Sequence, residues 1–233
     1  MAITIKSERE IELMAEAGKI LERVHNELEK ALRPGMSTKD IDTLGEEIIR
    51  SYGCIPSFLN YNGYPAQEGD IVSLDAGVIY KGYHSDAART HAVGEVSEEA
   101  KKLIRVTEES FFEGIKFAKA GNHLFDISGA IGRYAEERGY GVVRDLCGHG
   151  IGTALHEAPE IPNYEVGRKG VRLRPGMTLA IEPMINIGTH EVDWLDDDWT
   201  VVTRDGSLSA HYENTILITE GEPRILSLTC ENE

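Results

Sequence analysis

The sequence predicts an α+β fold in which residues 1–233 form one domain of two internally related halves, about 7–94 and 95–221. Three observations carry this expectation. A pair of amphipathic helices occurs twice, a glycine-led alternating strand ending on a carboxylate occurs twice, and each half then ends a later strand on a second carboxylate.

The first helix starts at a capping box, Ser7 with Glu10, and continues through Ile11, Met14, Gly18, Leu21, Val24, Leu28 and Leu32 at three- and four-residue steps. Arg33-Pro34-Gly35 ends it. Ser37 or Thr38 caps a second helix with an apolar face of Ile41, Leu44, Ile48 and Ile49, closed by Tyr52-Gly53. From Ser97 the pattern returns: a helix through Ala118, a break at Gly121, a helix through Ile127, Ile131 and Tyr134, and a stop at Gly139. A single offset of 86 maps Gly35 onto Gly121, Asp40-Ile41 onto Asp126-Ile127, and Gly53 onto Gly139.

The strands repeat in the same order. "EGDIVSLD" ends on Asp75 and "PGMTLAIE" on Glu182; "HSD" ends on Asp86 and "HYE" on Glu213. The halves differ in one place. Gly53 to Asp75 is 22 residues and Gly139 to Glu182 is 43, so the first half is shorter just before its strand.

Composition excludes several classes of partner. The 40 acidic and 24 basic residues give a net charge of −16, with the basic residues scattered, which disfavours direct nucleic-acid binding. No apolar run approaches the roughly 18 residues of a membrane span, and the first twenty residues lack a signal-peptide core. Cys54, Cys147 and Cys230 are three in number and widely spaced, as expected in a reducing cytoplasm. A monomer is the default expectation.

A two-residue turn at Lys81-Gly82 pairs Asp75 with Ala88 and sets Asp86 on the same sheet face. Two carboxylates so placed repel unless a cation lies between them. "CGHGIGTALHE" adds His149 and His156 in a glycine-rich stretch. Asp75, Asp86, His149, Glu182 and Glu213 then suit two divalent ions, and the mostly oxygen set fits Mn, Fe, Co or Zn better than a closed thiolate site. Two such ions serve hydrolysis, with Glu182 as ligand and acid/base and His156, outside the cage, donating to the developing oxyanion. A purely structural metal site is the alternative at this point. His25 and His123 are expected to be exposed, His84, His91, His190 and His211 not to be ligands, and Trp194 to be core.

In order along the chain, "FLNYNGYP", "GDIVSLDAGV", "YHSDAART", "CGHGIGTALHEAP", "PGMTLAIEPM" and "DDWTVVTRDGSLSAHYENT" resemble the bacterial type I methionine aminopeptidases. The resemblance implies the pita-bread fold, a curved antiparallel sheet covered by helices, with two divalent ions at the five positions above. It also implies removal of N-terminal methionine from nascent proteins or peptides with a small second residue, and transient contact with the ribosome. His156 would contact the substrate, and Tyr61, Tyr64 and Trp199 would wall the methionine pocket. Family members carry a strand-turn-strand segment, with a pocket cysteine and a substrate-contacting histidine, where this chain has only Pro65-Ala66-Gln67-Glu68-Gly69. Loss of one such donor implies activity reduced by about 10²- to 10³-fold. Two alternatives accompany this reading: an X-Pro-specific peptidase of the prolidase or aminopeptidase P kind, and a catalytically weak or silent binding module.

Overall fold

Ser7 opens α1 (Glu8–Ala31), and the Glu10 carboxylate accepts the Ser7 N–H at 2.7 Å, completing the capping box. The computed structural model describes residues 3–58 and 67–228, so Tyr61, Tyr64 and Cys230 lie outside the described residues. Ser37 caps α2 (Thr38–Ser51): its hydroxyl accepts the Asp40 N–H at 3.1 Å, and the Asp40 carboxylate accepts the Ser37 N–H at 2.8 Å. Gly35 leaves α1 at φ +90° and its counterpart Gly121 has φ +92°, a left-handed backbone that strains any residue with a Cβ.

β1 (Ile55–Pro56), β2 (Ile71–Tyr80) and β3 (Tyr83–Ala92) form an antiparallel sheet in that order. Lys81 and Gly82 turn the β2–β3 hairpin with φ +49° and +85°, and the register pairs Tyr80 with Tyr83 and Asp75 with Ala88, as the sequence predicts.

α3 (Glu98–Ile115) follows, with the Ser97 hydroxyl accepting the Ala100 N–H at 3.1 Å. It stops three residues before Ala118, and the chain continues through tighter turns in which Phe117 and Ala118 bond to Gly114 and Ile115. Next come α4 (Leu124–Glu136), β4 (Gly141–Val142), β5 (Gly148–Gly150), β6 (Glu157–Ile161), β7 (Thr178–Ile181) and β8 (Met184–Asn186). β9 (Val192–Trp194), β10 (Val201–Thr203), β11 (Ser209–His211), β12 (Asn214–Leu217) and β13 (Arg224–Ile225) complete the described strands. The sheets run β13-β12-β7-β5-β6, β11-β8-β4 and β10-β9, with every pairing antiparallel.

Alternation along the strands decides which face meets the helices. Leu74, Ala76 and Val78 of β2 pack with Leu21, Val24 and Leu28 of α1 and with Ile41 and Ile48 of α2. Leu179, Ile181 and Ile216 pack with Phe111, Ile127 and Ile131 of the second helix pair. Residues between these positions, Asp75 and Gly77 in one half and Ala180, Glu182 and Thr215 in the other, face away from the helices.

The two halves join where β3 meets the break between β11 and β12. Ala88 and Glu213 exchange backbone bonds, the Glu213 N–H donating to Ala88 at 2.9 Å and the Ala88 N–H to Glu213 at 3.4 Å. On one side the Thr215 hydroxyl accepts the Asp86 N–H at 3.0 Å and donates to the Asp86 carbonyl at 2.9 Å. On the other the Thr90 hydroxyl does the same for His211, at 2.9 and 2.8 Å. The Arg89 guanidinium closes the seam, donating to the Ala88 and Glu213 carbonyls and, at 2.6 Å, to Asn214 Oδ1.

Candidate metal centre and substrate cleft

The seam makes one continuous sheet face, and its registers align the candidate residues in two neighbouring rows. Asp75 pairs with Ala88, Ala88 with Glu213, and the flanking registers set Glu213 opposite Glu182. In the next row Asp86 lies beside Thr215, Thr215 pairs with Ala180, and Ala180 with His149. Opposed residues, and those two apart along a strand, point to the same side. Five residues scattered from 75 to 213 therefore share the face opposite the helices.

Asp86, His149 and Glu213, 4%, 8% and 2% exposed, each offer one ligand atom, and these atoms lie within 4.8 Å of one another. Donors held 2.0–2.2 Å from one ion are separated by up to about 4.4 Å, so a small inward adjustment completes the fit. Asp86 Oδ1 and Glu213 Oε1 are buried without a hydrogen-bond partner among the described residues, which a buried carboxylate seldom tolerates unless a cation satisfies it. His149 Nε2 lies 3.5 Å from Glu182 Oε1. Its Nδ1–H donates to the Gly150 carbonyl at 2.9 Å, an assignment that leaves the Nε2 lone pair aimed at the carboxylates. The donor set fits divalent cations.

Electrostatics agree. Burial, followed by the charges of Asp75 and Glu182, raises Asp86 well above the ordinary carboxylate range. Glu213 is raised by burial and then by Asp86, Glu182 and Asp75, with Arg89 offsetting a little. Glu182 is raised by burial and by Asp75. Asp75 opens to the cleft on one side and is enclosed by protein on the others; the enclosure pushes it up to about 7. Desolvation takes His149 down to about 4, so it is neutral near pH 7.

His156 sits just outside the cluster, its ring edge-on to His149 with centroids 4.3 Å apart. Its loop is tied by Glu157. Burial raises that carboxylate, but the Lys6 ammonium at 2.5 Å and the Thr153 and Ala154 N–H groups more than offset this and leave its pKa lowered. Beside Asp75 opens a cleft of about 560 Å³, with Phe58, Leu146, Trp194, Trp199 and Val201 among its lining residues. Trp199 thus lies in the cleft.

Two expectations need correction. Trp194 is not core: it is 53% exposed and lines the cleft with Trp199, because β9 and β10 form a separate hairpin without helix cover. His25 is buried rather than exposed. It lies beside the Leu21–Val24–Leu28 stripe of α1, and its Nε2–H donates to the Ala87 carbonyl at 2.9 Å. A further residue, His211, lies beside the site without joining the ligand atoms of Asp86, His149 and Glu213. Its Nε2, buried and without a hydrogen-bond partner among the described residues, lies 3.8 Å from Glu182 Oε2. The signal was present in the sequence, since position 211 is two before Glu213 and so shares its strand face.

Comparison with known proteins gives a consistent answer. The metallopeptidase family M24 matches residues 12–220. A methionine aminopeptidase of Clostridium acetobutylicum is 52% identical over 250 residues, covering 98% of this chain and 100% of that protein. The crystal structure of methionine aminopeptidase from Thermotoga maritima superimposes with a TM-score of 0.93 at 43% identity, covering 98% of this chain and 100% of that one. An Xaa-Pro dipeptidase from Bacillus anthracis shares the fold, with a TM-score of 0.82 at 27% identity, but this chain covers only 63% of it. The helices and antiparallel sheets are those of the pita-bread fold, and the chain belongs to the metallopeptidase family M24, among the bacterial methionine aminopeptidases.

Proposed function

We propose that this chain is a metal-dependent aminopeptidase that releases N-terminal methionine from peptides and nascent proteins with a small second residue. The observation that carries the reading is the shared sheet face, which gathers Asp86, His149 and Glu213 with Asp75 and Glu182 beside an aromatic cleft. We assign the protein to the cytoplasm as a monomeric single domain that meets the ribosome only in passing.

Asp75, Asp86, His149, Glu182 and Glu213 would hold two divalent ions, drawn from Mn, Fe, Co or Zn by their oxygen-rich donor set. When bound, the ions supply Lewis acidity and a water of lowered pKa. Glu182 takes a proton from the attacking water on a carboxylate oxygen and returns it to the leaving amine. His156, edge-on to His149, donates to the amide oxygen as negative charge develops there. Trp199 packs against the methionine thioether through burial and sulfur–aromatic contact, a role we also assign to Tyr61 and Tyr64, which lie outside the described residues.

The short connection before Asp75 lowers the rate in this reading. An alignment of 250 positions exceeds the 233 residues of the chain, which supports a missing segment. Where the segment resumes the chain is closed tightly, the Gly69 N–H donating to Val93 and the Val93 N–H to Asp70, each at 2.9 Å.

The test is methionine release from a Met-Ala-Ser peptide by the metal-free protein and after addition of Mn, Co or Fe(II), beside a Glu182→Ala control. Metal-dependent release abolished by the substitution is expected. Binding of two ions without release would refute the aminopeptidase reading, and preferential cleavage of an X-Pro dipeptide would replace the substrate.

A further inference from the structure

We propose that His211 is a positioning residue for Glu182, donating from Nε2–H to the carboxylate and holding it between two imidazoles. The inference rests on the acid/base role given to Glu182 above. Glu182 Oε1 faces His149 Nε2 at 3.5 Å and Oε2 faces His211 Nε2 at 3.8 Å, so the carboxylate is bracketed by rings from two different strands. The 3.8 Å separation is longer than a hydrogen bond, and a carboxylate movement of less than about 1 Å brings it within range.

Three features make the bracket specific. His211 Nε2 is buried without a hydrogen-bond partner among the described residues, so Glu182, 3.8 Å away, is the acceptor its position selects. The backbone of His211 is clamped from the other half, its N–H donating to the Thr90 hydroxyl and its carbonyl accepting from it, with Ser73 Oγ 2.8 Å behind. Its register opposite Met184 sets it diagonal to Glu182 on the face shared with Glu213. A ring so fixed leaves one Glu182 oxygen for the ions and occupies the other. That restricts the rotation of the carboxylate, and a proton carried on it travels along one direction. The imidazole of His149 is available to coordinate because Gly150 takes its Nδ1–H; that of His211 is committed to donation instead.

The experiment uses the full chain loaded with zinc and labelled with nitrogen-15 histidine, the His211 signals being assigned by their loss in His211→Gln. A neutral ring protonated at Nε2, with a resonance that shifts in Glu182→Gln, is expected; an Nε2 without a proton would overturn the proposal by making His211 a ligand. Kinetics give a second reading. His211→Leu should lower kcat by about 10- to 100-fold, with KM and the number of bound ions unchanged. His211→Gln, whose amide nitrogen can occupy the Nε2 position, should recover most of that loss. Loss of an ion in His211→Leu, equal rates for Leu and wild type, or no recovery with Gln would each refute the positioning role. Absence of methionine release by the wild type would instead refute the function proposed for the site, while the nitrogen resonances still decide whether His211 donates to Glu182.

Discussion

Loading the centre with divalent ions should expel protons, and the number follows from which groups hold them beforehand. His149 and His211, at about 4, are already neutral at pH 6–7 and contribute none. Asp75, at about 7, is about half protonated at pH 7, and Asp86, Glu182 and Glu213 are all raised well above the ordinary range by burial and mutual repulsion. Four carboxylates of ordinary pKa would release almost nothing in that window. Here the roughly half proton held by Asp75 should leave, with more from the three raised carboxylates, so the overall affinity constant rises with pH between 6 and 7, about tenfold per pH unit for each proton released. Titration calorimetry with zinc, repeated in buffers of different ionisation enthalpy, counts the protons directly. Release of less than about 0.5 proton would show that the carboxylates are already ionised and refute the repulsion argument. The same linkage fixes the sign for the metal-free fold. A carboxylate raised on folding stabilises at low pH, and that stabilisation is lost as pH rises through the folded value. The depressed histidines His25, His149 and His211 act oppositely, but only below about 6.5. From pH 6.5 to 8 the carboxylates alone remain, and the urea midpoint of the metal-free protein should fall.

Gly148→Ala should weaken zinc binding by about 10- to 100-fold, measured by calorimetry, because the added Cβ would stand 2.4 Å from the Ala180 carbonyl oxygen and push β5, with His149, off β7. His25→Ala should cost about 2–4 kcal/mol in urea unfolding, leaving a cavity under α1 and the Ala87 carbonyl without its donor. Lys6→Met should lower kcat/KM for a methionyl peptide by about 10-fold and stability by about 2 kcal/mol, since Glu157 keeps its burial but loses the cation that ties the His156 loop.

Much of this was legible because the sequence is written in two periods. Three- and four-residue steps gave the helices, with the cap at Ser7 and the choice between Ser37 and Thr38 that the structure resolves to Ser37, and alternation through "DIVSLD" with the Lys81-Gly82 turn gave the hairpin and the common face of Asp75 and Asp86. His149 was legible from its glycine-rich context beside the repeated carboxylates. What local pattern could not supply was contact between halves. His25 reads as one polar residue beside a helix stripe until Ala87, 62 residues away, provides its acceptor. Trp194 reads as core until the β9–β10 hairpin is seen to stand apart from the helices. His211 shares the strand face of Glu213 by its spacing, but only the position of Glu182 on a neighbouring strand shows which side chain it meets.

The threonine-sealed seam also makes the bound ions a checkpoint on assembly. Asp75 and Asp86 come from before the Val93–Val96 connection, and His149, Glu182 and Glu213 from after it. The bonds that align them span 121 to 129 residues of chain, so the proposed ligand set is brought together only by long-range contacts, which are the slow ones to form. A chain nicked within that connection would yield two fragments, neither of which carries the five-residue set. Full ion occupancy would return only on re-mixing, as a stoichiometric signal that the pieces have found each other.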